Sequence, residues 1–105
     1  MPTVEQLRAL IASDPNDPFG HYALAQALAK RGDHESALDA YDRCLALDPE
    51  DRYGYYHKAV ALIALDRSQD ARDTIELGLT AAKRHNDAKA GAELRQLLGT
   101  IVSRV

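Results

Sequence analysis

Apolar residues recur three and four positions apart along most of the chain, the spacing of a single helix face. Between Pro18 and Arg31 the stripe is His21, Leu24, Ala25 and Leu28, and between Asp33 and Leu47 it is Ala37, Leu38, Tyr41, Cys44 and Leu45. Asp17-Pro18 supplies a capping carboxylate followed by a proline in the first helical turn. Gly32-Asp33 ends one helix and caps the next, and Asp48-Pro49 closes the pair. The layout then repeats from Arg52 to about Leu65, turns at Asp66-Arg67-Ser68 and continues to about Arg84. Ahead of it, Thr3 and Gln6 have the spacing of a capping box, with Val4, Leu7, Leu10 and Ile11 striped up to Ser13. Behind it, Asn86–Ser103 carries Ala90, Leu94, Leu97, Leu98 and Ile101 on one side, and Lys89, Glu93, Gln96, Thr100 and Ser103 on the other. No alternating apolar run is flanked by turn dipeptides, so no strand is expected. The pattern predicts an all-α chain of about six antiparallel helices in three layers.

An offset of 34 residues superposes the chain on itself. Asp14-Pro15 falls on Asp48-Pro49, Gly20 on Gly54, Tyr22 on Tyr56, Ala25 on Ala59, Ala27-Leu28 on Ala61-Leu62 and Ala37 on Ala71. The matches fall on small and turn-forming residues, where helices approach closely and a larger side chain would overpack. One domain over 1–105 is expected: an N-terminal helix over 3–13, repeat units over 18–51 and 52–85, and a polar-backed terminal helix over 86–103.

These residues resemble the tetratricopeptide repeat family. Its 34-residue pattern is matched in the first unit by His21, Leu24-Ala25, Leu28, Gly32, Ala37, Tyr41, Cys44 and Pro49. In the second unit it is matched by Tyr55, Ala59, Leu62, Asp66, Ala71, Ile75 and Gly78. The departures are His21 for the usual tryptophan, Lys58 for leucine, and Lys83 where a final proline would stand, so the helix near Lys83 is expected to run on toward the last one. The resemblance implies a right-handed superhelical stack of helix pairs, an α-solenoid whose first helices line a concave groove that binds a protein or peptide. The groove-facing residues it implies are Phe19, Tyr22, Gln26 and Lys30 in the first unit, with Tyr53, Tyr56, Val60 and Ile63 in the second. A family subtype grips a terminal carboxylate with Lys, Asn and Arg; Tyr22, Gln26, Tyr56 and Val60 stand at those positions here, so that subtype is not expected. From Tyr53 to Leu65 the only fully charged residue is Lys58, so the helix is apolar nearly all round and must be buried or offered to a partner. The implied ligand is an apolar or aromatic-bearing segment bound with little dependence on salt. A possible homodimer is the alternative, through the groove or through the C-terminal helix with Val102 and Val105.

Composition narrows this further. Thirteen basic against sixteen acidic residues give a net charge of −3, unsuited to a nucleic-acid binder. The first 82 residues hold 8 basic and 14 acidic groups, whereas residues 83–105 hold 5 and 2, with Arg104 placed to favour a helix C-terminus. No window is apolar enough for a membrane span. Met1–Ser13 lacks the basic start and apolar run of a secretory signal. Cys44 is the single cysteine, which suits a reducing cytoplasm, and its place in the stripe points to packing, not nucleophilic chemistry. His21, His34, His57 and His85 never stand four apart, so no metal site is expected. Asp39/Asp42 and Asp70/Asp73 read as solvated charge. No phosphate loop or catalytic constellation is present, and neither an enzyme nor a cofactor is expected.

Overall fold

The computed structural model describes residues 2–102; Ser103, Arg104, Val105 and the side chain of Val102, on which some expectations fell, lie outside the described residues. Six helices follow in order: α1 (Val4–Ser13), α2 (Pro18–Lys30), α3 (His34–Leu47), α4 (Arg52–Ala64), α5 (Ser68–Arg84) and α6 (Ala88–Val102). Side chains cap most of their starts. Thr3 and Gln6 form a reciprocal box, and the carboxylates of Asp17, Asp33, Asp51 and Asp87 accept from N–H groups of α2, α3, α4 and α6.

Three turns share one device. Gly32, Asp66 and Asn86 take left-handed backbone, with φ of 81°, 59° and 52°. The next residue's N–H then reaches back five positions: Asp33 to Leu28 O, Arg67 to Leu62 O and Asp87 to Ala82 O. The missing proline near Lys83 has its expected effect, since α5 runs 17 residues against 14 in α3 before Asn86 ends it.

Packing follows the repeat. Ala25 and Ala37 lie in the packed pair α2/α3 and Ala59 and Ala71 in the pair α4/α5, and all four are completely buried. Gly54 and Gly78 sit equally close: an added Cβ would come within 2.9 Å of Leu45 Cδ2 and of Tyr55 Cβ, respectively. Each pair stacks on the next, α3 against α4 and α5 against α6, into a body of 40 × 29 × 21 Å. Successive first helices touch, α2 with α4 and α4 with α6, whereas among the described residues α3 and α5 do not. The stack therefore bends around α2, α4 and α6, which line its concave side, with α3 and α5 outside.

Two expectations need correction. Leu10 lies in the predicted stripe but is 58% exposed, because among the described residues α1 packs on α2 and on no other helix. The outer carboxylates are not all simply solvated. Lys58 reaches from α4 between the outer helices to Asp42 at 2.7 Å, Asp70 takes Arg67 at 2.9 Å and Asp73 takes Gln69 at 3.1 Å.

Candidate functional site

Rings from three helices meet beside the concave side. Tyr22 of α2 stands edge-on to Tyr41 of α3 at 6.2 Å and to His57 of α4 at 5.9 Å. His57 stacks on Tyr41 at 6.5 Å and meets Tyr56 edge-on at 5.2 Å. Tyr41 is buried, so its hydroxyl needs a partner within the protein. It donates to Gln26 Oε1 at 3.1 Å, and Gln26 Nε2 donates to Tyr22 Oη at 2.9 Å. Gln26, expected as a contact residue, thus spends its amide bracing the two tyrosines. Burial raises the phenols of Tyr41 and Tyr22 above their ordinary range, with Gln26 pulling Tyr22 the other way. Burial also lowers His57, against the opposing pull of Asp51 and Glu93, so its ring is neutral near pH 7. His57 was absent from the expected set. The signal for it was there, since Tyr53, His57 and Val60 follow one another at i, i+4 and i+7.

The other expected residues extend this cluster unequally. Tyr53 is half-buried against α6, where Glu93, after burial itself, raises its phenol. Tyr56 and Ile63 lie half-buried on the core, and Val60 remains 39% exposed. Lys58 faces outward to Asp42, which puts Val60, two residues on along α4, on the opposite, concave side. Phe19, 72% exposed at the start of α2, shares a cleft with Tyr22 and with Asp48 and Asp51 of the α3–α4 loop. Lys30 stands apart from all of these, in a cleft between the end of α2 and Pro2–Glu5.

Two further groups have structural duties. His21 is buried and its Nε2 donates to the Pro15 carbonyl at 2.8 Å, which ties the α1–α2 loop to the core. Cys44 is completely buried and its thiol donates to Asp51 at 3.5 Å. Burial, then Asp51 and Asp48, push that thiol up to about 12, which makes it a poor nucleophile. No helix among the described residues is long and apolar enough to cross a membrane.

A family model described as tetratricopeptide repeat matches residues 18–51. A comparison with the curated proteins finds no match. Among solved structures, the TPR2B domain of yeast Sti1, in its complex with pHsp70, is 25% identical with a TM-score of 0.91, over 97% of this chain and 82% of that one. The crystal structure of a tetratricopeptide repeat domain protein from Salinibacter ruber is 31% identical with a TM-score of 0.77, over 85% of this chain and 100% of that one. The translocator chaperone SycD of Yersinia enterocolitica, 17% identical, shares the fold with a TM-score of 0.89 over 96% of this chain and 70% of that one.

Proposed function

Because the chain belongs to the tetratricopeptide repeat family, we propose that it is a protein-interaction module whose concave side binds an extended or helical segment of a partner protein. The observation that carries this reading is the run of half-exposed aromatic and apolar side chains on α2 and α4. The ring cluster holds Tyr22 and Tyr56, the Gln26 brace fixes Tyr22, and Tyr53, Val60 and Ile63 continue the run along α4, on the side where first helix follows first helix. Such a surface is preformed, so binding spends little on ordering it, and a few desolvated aromatic anchors carry the affinity. The Sti1 domain, which resembles this chain over most of both lengths, is found in a complex with pHsp70, and this supports a partner-binding role. The partner's identity here follows from the groove alone: apolar and aromatic side chains, not a terminal carboxylate. In this role residues 1–105 act as one unit.

The test is selection of displayed random peptides on the purified protein. Selected peptides should carry fixed apolar or aromatic positions, lose at least tenfold in affinity on Tyr56→Ala, and weaken less than about threefold between 50 and 500 mM salt, in contrast to the steep slopes of multi-charge interfaces. Affinity that collapses with salt contradicts the reading. Light scattering at two concentrations, run alongside, reads out pairing between copies, the alternative raised by the sequence.

A further inference from the structure

Resting on that groove reading, we propose that the cleft where α2 begins beside the α3–α4 loop receives a basic side chain, lysine or arginine, of the bound segment. The cleft is about 330 Å³ and is lined by Pro18, Phe19, Tyr22, Asp48 and Asp51. It therefore joins aromatic faces to carboxylates, and both attract a cation.

Each component of the wall has been left available or has been fixed with the same sign. The Phe19 ring is 72% exposed although it stands in the first turn of a helix, where a polar residue would be less costly. Asp48 uses Oδ1 to accept the Glu50 N–H at 3.2 Å, and a carboxylate has further lone pairs to give. It also ends α3, whose last turn carries no basic residue, so the negative carbonyl end of that helix adds to the carboxylate's field. Asp51 is more committed, with one oxygen on the Gly54 N–H at 3.0 Å and the other on the Cys44 thiol, and it contributes charge more than contact. Burial first, and then the same two aspartates, raise the neighbouring Cys44 thiol.

No basic residue lines the cleft. Arg52, the nearest in sequence, turns to Asp87 at 3.1 Å and to the Glu50 carbonyl at 2.9 Å. Lys30 lies at the other end of α2. An apolar ligand side chain would cover the rings but would strip water from Asp48 with nothing in exchange, and an acidic one would be repelled. A single cation over Phe19 and Tyr22 leaves the salt dependence of the whole complex shallow.

The experiment uses peptides from the random-sequence selection on the full chain, repeated on Asp48→Asn and on Phe19→Leu. Asparagine retains an acceptor for the Glu50 N–H, and Phe19 is exposed, so both variants should keep wild-type helicity and urea midpoint. Wild type should select peptides with lysine or arginine at a fixed distance from the apolar anchors. Replacing that residue by norleucine should weaken binding about five- to twentyfold on wild type and no more than about twofold on either variant. Groove-bound peptides with no fixed basic position, or a norleucine penalty that survives both variants, overturn this inference and leave the groove reading standing. If no selected peptide loses affinity on Val60→Glu, the groove reading falls and this inference falls with it.

Discussion

The hydroxyl of Tyr41 is buried with its ring, and the residue that accepts its proton, Gln26, stands 15 positions earlier on another helix. Removing that acceptor should cost far more than its size suggests. Gln26→Leu leaves a buried O–H without a partner and should lower stability by about 1–3 kcal/mol in urea unfolding. Gln26→Leu combined with Tyr41→Phe should cost less than the sum of the two single changes, because the orphaned hydroxyl is gone. A Gln26→Leu midpoint equal to wild type would show that the brace carries no weight. At this scale the sequence was most legible where size alone decides. Ala25, Ala37, Ala59 and Ala71 repeat at one offset and are all fully buried. Gln26 was less legible, because helical spacing says which way a side chain points but not that a hydroxyl from α3 arrives to meet it. Asp42 is exposed as expected, but its partner was hidden for a related reason: Lys58 comes from α4, across the gap between outer helices.

Among the elements, α4 has the most to do. It packs on α3 and α5, touches α2 and α6, and still leaves Val60 open on the concave side. Its apolar character called for burial or for a surface offered to a partner, and α4 is buried on most sides with Val60 left 39% exposed. The spacing placed His57 on the strip of Tyr53 and Val60, but did not show that its ring would fill the space between Tyr22, Tyr41 and Tyr56. That placement makes stability depend on pH. Burial lowers the His57 pKa in the folded state below its ordinary value of about 6.5, so the unfolded chain binds the proton more readily. The contribution from neutral His57 is then fully present above about pH 6.5 and is lost as pH falls below it. His57→Gln should flatten the decline in unfolding free energy between pH 7 and pH 5, and an unchanged slope would remove His57 from the packed cluster. The end helices show where periodicity misleads. Leu10 belongs to the apolar stripe of α1, but a stripe is buried only as far as neighbouring helices reach, and α1 has one neighbour. α5 teaches the converse, since the absence of a proline near Lys83 correctly signalled a longer helix.

For the molecule as a whole, the central consequence of the stacking order is that it creates two different faces. First helices approach one another and second helices diverge, so the same 34-residue unit, repeated, yields a concave side bearing rings and aliphatic side chains and an outer side bearing paired charges. The order of helices was readable from the sequence. The curvature came from the family resemblance and not from periodicity, since it arises from differences in how closely α2, α4 and α6 approach compared with α3 and α5. Two exposed aliphatic residues of comparable kind lie on opposite faces: Val60 on the concave side, 39% exposed, and Leu77 on the outer side, 58% exposed. Changing either to glutamate should alter stability by less than about 0.5 kcal/mol, as is usual for surface positions. The most direct measurement is therefore affinity capture from cell lysate by wild type, Val60→Glu and Leu77→Glu in parallel, with bound proteins identified by mass spectrometry. The account predicts partners that are shared by wild type and Leu77→Glu and absent from Val60→Glu. Partners that survive Val60→Glu and disappear with Leu77→Glu would place the binding surface on the outer helices and contradict it.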